Sequence, residues 1–224
     1  MPDTPSTQLL ASTQEIRQRI LTHPFVRGIG DGTLPIEPFA YYVRQDYIYL
    51  LEYGRVLALG VAGAHDLEIM ELFAELVHAT LHVEMELHRG YCERFGVTRT
   101  DLETTPASPT THAYTRHLLS VAYGGTTAEL MAALLPCQWG YWEIGVELAE
   151  AGLPAQQPLY AEWIEMYSTP EYGELAERLR ETFDRAAARA SADEMARMAD
   201  IFVNSSRYEY AFWDAAWRQE EWPV

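Results

Sequence analysis

TTAELMAALLPCQWGYWEIGVELAEAG, residues 126–152, is the stretch that decides the fold class. Thr126 and Glu129 have the spacing of a capping box, which starts a helix by pairing free backbone N–H groups at its end. Gly152 follows the long apolar run, at a position typical of a helix end. The period-2 alternation of a strand is missing between these signals, so the segment predicts a helix over residues 126–150.

The same start and stop signals recur along the chain. They predict further helices over about 7–25, 35–64, 66–96, 108–124, 158–167, from 169 onward, and 191–219. Residues 97–107, rich in Thr and Pro, are expected to form a loop, and residues 1–6 a flexible N-terminus. Strand patterns, internal repeats and linkers are not found in the sequence. We therefore predict one all-α domain over residues 1–224, a bundle of about eight helices.

The charged residues exclude several classes of function. The chain has 224 residues, with 33 acidic and 16 basic residues and a net charge of −17, and every basic residue is Arg. Without Lys there is no Schiff-base amine and no P-loop lysine. The acidic balance argues against nucleic acid and anionic membranes as partners. A signal peptide and a membrane-spanning run are not found, so a cytoplasmic location is expected.

Aromatic residues are frequent, with 14 Tyr and 6 Trp. A buried Tyr needs a hydrogen-bond partner, so these residues predict a polar pocket inside the bundle. Pro136 lies within a predicted helix, where it removes a hydrogen bond and favours a kink. Cys137 follows it, with Tyr141 one turn later. Cys137 is therefore either a nucleophile ringed by aromatic side chains or an inert buried thiol, whereas Cys92 has only the second interpretation.

Two acidic residues lie among aromatic ones. Asp46 shares a helix face with Tyr42 and Tyr49, and either faces a pocket or pairs with a nearby Arg such as Arg44. Glu209 is close to Phe212 along its helix. It is either a surface residue or a buried acid whose raised pKa suits general acid catalysis.

A cluster of histidines raises the question of a metal. Two pairs, His78 with His82 and Glu84 with His88, are each spaced at i, i+4. A di-iron bundle uses Glu and His three residues apart, and that spacing is not found among these four residues. Histidines facing a polar interior are the preferred interpretation, and no metal is predicted.

Several segments, taken in order, resemble the TenA family of thiaminase II and aminopyrimidine aminohydrolase proteins. They span about residues 20–220 and are HPF (23–25), GDGTL (30–34), QDYIYL (45–50), LLPCQWGY (134–141), MYSTP (166–170) and YEYAFWD (208–214). Some members of that family have a catalytic Cys and others lack it. Cys137 is typical of the first group.

The resemblance implies an all-α fold similar to haem oxygenase but without haem, assembled as a homotetramer. It implies hydrolysis of 4-amino-5-aminomethyl-2-methylpyrimidine to the hydroxymethyl pyrimidine and ammonia in thiamine salvage, without a cofactor, and thiamine as a related substrate. By motif position, Cys137 would be the nucleophile, Glu209 the acid/base, and Asp46 the residue that binds the ring's amino group and a ring nitrogen. The remaining pocket residues would be Tyr49, Tyr114, Tyr141, Tyr167, His88 and Phe212.

Two other functions stay open from the sequence. One is an oxidase of the same all-α superfamily, either cofactorless or built on a di-iron centre. The other is a regulatory protein without enzymatic activity. Substrate preference among the aminomethyl pyrimidine, its formylamino relative and thiamine is not visible in the sequence.

Overall fold

The computed structural model describes residues 4–224, apart from the side chain at position 99. Helices form all of the regular secondary structure in this range. This confirms the all-α prediction, although the helices number more than eight. In chain order they are α1 (Pro5–Ser12), α2 (Gln14–Leu21), α3 (Pro24–Asp31), α4 (Ile36–Gly63), α5 (Leu67–Ala79), a π-helical turn (Thr80–Glu84), α6 (Met85–Arg94), α7 (Arg99–Thr104), α8 (Pro109–Gly124), α9 (Thr127–Ala151), α10 (Pro158–Tyr167), α11 (Pro170–Ala187) and α12 (Ala192–Arg218).

The single helix expected over residues 7–25 is wrong, because the chain breaks twice there. The first break is at Thr13, which ends α1 and precedes α2. The second is at His23, whose Nδ1 accepts a hydrogen bond from the backbone N–H of Phe25 at 3.2 Å and so caps α3. Pro24 occupies the first position of α3, where its missing N–H costs nothing.

The prediction of a flexible terminus over residues 1–6 is wrong for residues 4–6. Thr4 caps α1 in a capping box with Thr7. Ser6 is buried, and its hydroxyl donates a hydrogen bond to the Asp184 carboxylate at 2.8 Å. Residues 4–6 are therefore anchored to α11, while residues 1–3 lie outside the described residues.

Two further segments differ from expectation. The loop expected over residues 97–107 contains α7, because Thr98 and Asp101 form a capping box that the sequence analysis missed. The helix expected over residues 66–96 has a π-helical turn in its middle, at Thr80–Glu84. Its end is as predicted, because Gly96 adopts a positive φ of 68°, a conformation that suits Gly.

Helix α9 lies at the centre of the packing. It contacts α12, α11, α10 and α8, and its middle turns are buried. Gly145 allows α10 to approach α9 closely, since a Cβ there would lie 2.6 Å from the backbone carbon of Tyr167. Its capping box of Thr126 and Glu129 is present as predicted. None of the described helices is both long and apolar enough to cross a bilayer.

Candidate active site

Six helices bring the predicted site residues into one buried cluster. Asp46 and Tyr49 come from α4, and Cys137 and Tyr141 come from successive turns of α9. The other helices supply the rest of the cluster: His88 from α6, Tyr114 from α8, Tyr167 from α10, and Glu209 and Phe212 from α12. Every one of these side chains is less than a tenth exposed.

Aromatic contacts join the two ends of this cluster. The Tyr49 ring lies 5.1 Å from that of Tyr114 and 5.8 Å from that of Phe212, measured between centroids. The Tyr141 ring lies 4.9 Å from that of Tyr167. Flat aromatic faces on several sides suit a flat heterocycle as ligand.

Cys137 is a buried, protonated thiol. Burial and the nearby charge of Glu209 raise its pKa well above the usual value, and the adjacent Tyr49 hydroxyl opposes this increase only in part. Because the chain has no Lys, no ammonium group stabilises a thiolate here. The thiol proton must therefore be passed to an acceptor during a reaction.

Glu209 has the properties of a general acid. Burial raises its pKa to about 8, with a smaller contribution from the charge of Asp46. Its Oε1 accepts a hydrogen bond of 2.5 Å from the Tyr114 hydroxyl, which partly opposes the increase. A carboxyl group with such a pKa holds its proton at neutral pH and can donate it to a departing group.

Asp46 faces His88 and not Arg44. Its Oδ2 lies 2.6 Å from Nε2 of His88, in a short contact whose angle departs from that of a linear hydrogen bond. The same oxygen accepts a hydrogen bond from the Tyr42 hydroxyl at 3.2 Å. Trp163 Nε1 donates to that hydroxyl, also at 3.2 Å. His88 is fully buried behind Asp46, so it acts on the pocket through that carboxylate.

The sequence analysis missed Glu84 as a buried acid of this cluster. Burial raises its pKa to about 7, the charge of Asp46 adds to the increase, and His88 opposes it. Glu84 ends the π-helical turn, and its backbone oxygen lies 2.9 Å from Nδ1 of His88. The i, i+4 spacing to His88 was the available signal, and it was weighed only as a metal site.

The histidine cluster is split between two surroundings. His78 and His82 are exposed, with ring centroids 4.8 Å apart, whereas Glu84 and His88 are buried. Within residues 4–224, no group of three or more His, Cys, Asp and Glu side chains is arranged to hold a metal ion. Cys92 lies apart from the site, and burial raises its pKa to about 11.

Two hydroxyls remain available for a ligand. Tyr49 Oη and Tyr167 Oη are buried and make no well-oriented hydrogen bond to any described residue. An unpaired buried hydroxyl costs about 1–3 kcal/mol, so such groups are uncommon outside functional sites. The Tyr49 hydroxyl lies beside Cys137, and the Tyr167 hydroxyl lies beside Glu84. Both therefore belong to the same cluster as the predicted nucleophile and acids.

Comparison with known proteins places the chain in a family. The sequence profile of the TENA/THI-4/PQQC family matches residues 10–219. The aminopyrimidine aminohydrolase of Halalkalibacterium halodurans is 42% identical, across 97% of both chains. The solved structure of a TenA homologue from P. horikoshii OT3 has a TM-score of 0.87 at 33% identity, covering 96% of this chain and 99% of that one.

A more distant structure bears on the fold alone. A Shewanella denitrificans domain described as having a heme oxygenase-like fold gives a TM-score of 0.75 at 16% identity, over 95% of this chain and 92% of that one. This confirms the haem-oxygenase-like architecture. The family match covers nearly all of the chain, including every helix that contributes to the site, and so the chain belongs to the TENA/THI-4/PQQC family.

Proposed function

We propose that the chain is an aminopyrimidine aminohydrolase of thiamine salvage. It would convert 4-amino-5-aminomethyl-2-methylpyrimidine and water to the 5-hydroxymethyl pyrimidine and ammonia. The observation that carries this proposal is a thiol and a carboxyl group, Cys137 and Glu209, buried together among aromatic side chains. Burial favours the neutral form of both groups. The names of relatives such as the Halalkalibacterium halodurans enzyme support the same reaction.

Asp46 binds the substrate ring in this proposal. Its carboxylate accepts hydrogen bonds from the amino group and, once the thiol proton has passed to the ring, from the protonated ring nitrogen, which favours the addition. The neighbouring His88 supplies a donor on the far side of the carboxylate and keeps it in place. Tyr141, Tyr167 and Phe212 form walls around the ring.

Cys137 is the nucleophile. Its sulfur adds to the ring carbon while its proton passes to the ring nitrogen, so aromaticity is lost without net charge. The electron-rich ring then expels the 5-amino group, which takes the Glu209 proton and leaves as ammonia. Water adds to the exocyclic carbon and returns a proton to Glu209, and the thiol is released as the ring becomes aromatic again.

Tyr49 and Tyr114 assist these steps. The Tyr49 hydroxyl interacts with the thiol and stabilises the sulfur as its proton departs. Tyr114 holds Glu209 at 2.5 Å and so sets the direction of its acidic proton. A cofactor has no step in this scheme.

We further propose a homotetramer in the cytoplasm, with one domain per chain and no nucleic-acid or membrane partner. The net charge of −17 supports the last point, since like charges repel phosphates. One connected hydrophobic core supports a single domain. Light scattering of the purified chain tests the assembly, and a monomer mass would contradict it.

A coupled ammonia assay tests the reaction. The aminomethyl pyrimidine is expected to release one ammonia per hydroxymethyl pyrimidine formed. The formylamino relative and thiamine release no ammonia at this step, so all three substrates are ranked by the hydroxymethyl pyrimidine formed. Heat-inactivated protein serves as the control. No ammonia at high enzyme concentration, or oxygen consumption in its place, would refute the proposal.

A further inference from the structure

A pair of hydrogen bonds joins α8 to α12, about one helical turn apart. The inner bond runs from the Tyr114 hydroxyl to Oε1 of Glu209, at 2.5 Å. The outer bond joins Nε2 of His117 to Oγ of Ser205, at 3.0 Å. His117 follows Tyr114 by three residues on α8. Ser205 precedes Glu209 by four residues on α12. Residues at these spacings share one side of a helix, so the two bonds run side by side.

The ring of Tyr208 packs beside both bonds. It is stacked on the Tyr114 ring, with 5.2 Å between the centroids and 11° between the planes. The centroid of the His117 ring lies 5.3 Å from that of the same Tyr208 ring. His117 therefore supports both partners of the inner bond. It contacts the ring that is stacked on Tyr114, and it is bonded to the turn of α12 that precedes Glu209.

The outer bond is uncharged. Ser205 is fully buried, whereas His117 is half-buried. Burial lowers the pKa of His117, so its imidazole is neutral at neutral pH. A neutral imidazole has one donor and one acceptor nitrogen and a hydroxyl can serve as either, so this bond forms in both tautomers. The bond adds no charge near Glu209, and its influence on that acid is one of position.

We propose that His117 is a positioning residue for the acid step of the reaction. Through the outer bond and the Tyr208 ring, it holds the inner bond where the acidic proton reaches the leaving amine. The inference rests on the proposed function and adds a residue to it. A misplacement of about 1 Å can lower a catalytic rate by about 10²-fold. Loss of the outer bond should therefore slow the acid step, while Asp46 still binds the ring.

Kinetics of His117→Leu test this role. Leu fills much of the same space but cannot bond to Ser205, so we expect kcat to fall about tenfold while KM stays within about twofold. His117→Gln has an amide that can reach Oγ of Ser205, and it should retain at least about half of the wild-type kcat. Ser205→Ala removes the same bond from α12 and should lower kcat as His117→Leu does. It keeps the test valid if His117→Leu fails to fold.

His112→Leu is the matched control, since it makes the same change at an exposed position of α8 and should keep wild-type kinetics. A double-mutant cycle then separates positioning from a general effect on the fold. In a Tyr114→Phe background the inner bond is already lost, and residual turnover is expected because Glu209 keeps its acidic proton. If His117 acts through the inner bond, His117→Leu should lower kcat by less than about twofold in this background.

Three results would overturn the inference and leave the proposed function standing. The first is an unchanged kcat in folded His117→Leu or Ser205→Ala. The second is a rise in KM alone. The third is a full tenfold loss on adding His117→Leu to Tyr114→Phe, about the same as in wild type. Wild type that forms no hydroxymethyl pyrimidine would overturn the proposed function and the inference with it.

Discussion

Nε2 of His88 lies 2.6 Å from Oδ2 of Asp46, inside a core from which water is excluded. The other ring nitrogen, Nδ1, lies 2.9 Å from the backbone oxygen of Glu84, which can only accept a hydrogen bond. Nδ1 must therefore carry a proton, and a second proton must be shared in the short contact with Asp46. The charge of Asp46 and the backbone oxygen of Glu84 raise the pKa of His88, which favours an imidazolium paired with the Asp46 carboxylate.

Replacing His88 by Asn should weaken substrate binding more than it slows the chemical step. The buried Asp46 carboxylate loses its charged partner and the contact that fixes its orientation, so it holds the ring less well. We expect KM to rise at least tenfold, with a smaller fall in kcat. His82→Asn, at an exposed position on the π-helical turn, is the control. Equal kinetics in the two variants would rule out this role.

The same ion pair predicts a dependence of stability on pH. Burial alone would lower the pKa of His88, but the Asp46 charge and the Glu84 backbone oxygen outweigh it and raise the pKa above 6.5. Its stabilising contribution is therefore complete below pH 6.5 and is lost as the pH rises through the folded-state value. Urea unfolding of wild type and His88→Asn across pH 6–10 should show the difference in free energy shrinking toward high pH.

Glu209→Gln should separate activity from stability. The amide keeps an acceptor for Tyr114 but has no acidic proton, so we expect kcat to fall by about 10²–10⁴-fold. Because burial raises the Glu209 pKa from 4.5 to about 8, the unfolded chain ionises this carboxyl above pH 4.5 while the folded chain keeps it protonated, and wild type loses stability as the pH rises toward 8. At pH 7 the variant should be more stable than wild type by about 3 kcal/mol.

The pH–rate profile provides the readout for Glu209. In wild type, kcat/KM should fall as the pH rises above about 8, where the acid loses its proton. Glu209→Gln should lack this limb in its residual activity. Glu162→Gln, at a partly exposed ion pair with Arg94, should keep the limb. A limb that persists in Glu209→Gln would assign it to another group, such as Glu84.

Local signals explain how much of this structure the sequence could predict. The capping boxes at Thr126 and Ser191 and the Gly at position 96 set helix ends through nearest neighbours, and those ends were predicted correctly. The break at Thr13 was not, because the residues on both sides are good helix formers and tertiary packing decides between them.

The same contrast between local signals and tertiary packing decides which residues of the buried cluster the sequence could indicate. Asp46 and Glu209 were singled out because acids among aromatic residues on one helix face are visible in the sequence, and both are buried. Trp163 was missed because its link to Asp46 runs through Tyr42 across two helices, which no spacing reveals. Glu84 was weighed only as part of the histidine cluster and not as a buried acid, because burial of its side chain depends on the packing around the π-helical turn.

Cys137→Ser should lower kcat by about 10³-fold or more while substrate still binds, since the hydroxyl is a far weaker nucleophile. The raised thiol pKa adds a second expectation for the free enzyme. Iodoacetamide should alkylate Cys137 slowly at pH 7 and faster as the pH rises, because the thiolate is the reactive form. Cys92→Ala, at a buried thiol that has no role in the proposed reaction, should keep its turnover. Rapid alkylation of Cys137 at pH 6 would contradict the neutral thiol.

Gly145→Ala should disturb the site through the backbone of α10. The added Cβ would lie 2.6 Å from the carbonyl carbon of Tyr167 and 2.8 Å from its oxygen, so the end of α10 must move away from α9. We expect a loss of about 1–3 kcal/mol in unfolding free energy. Displacing Tyr167 should also raise KM, because its hydroxyl faces the buried cluster.

Gly90→Ala in α6 is the control, with no atom within 4 Å of the new Cβ. That control should be as stable as wild type or more so, by up to about 1 kcal/mol, because Ala is the better helix former. Similar stability and KM in the two variants would show that the close approach of α9 and α10 does not position Tyr167.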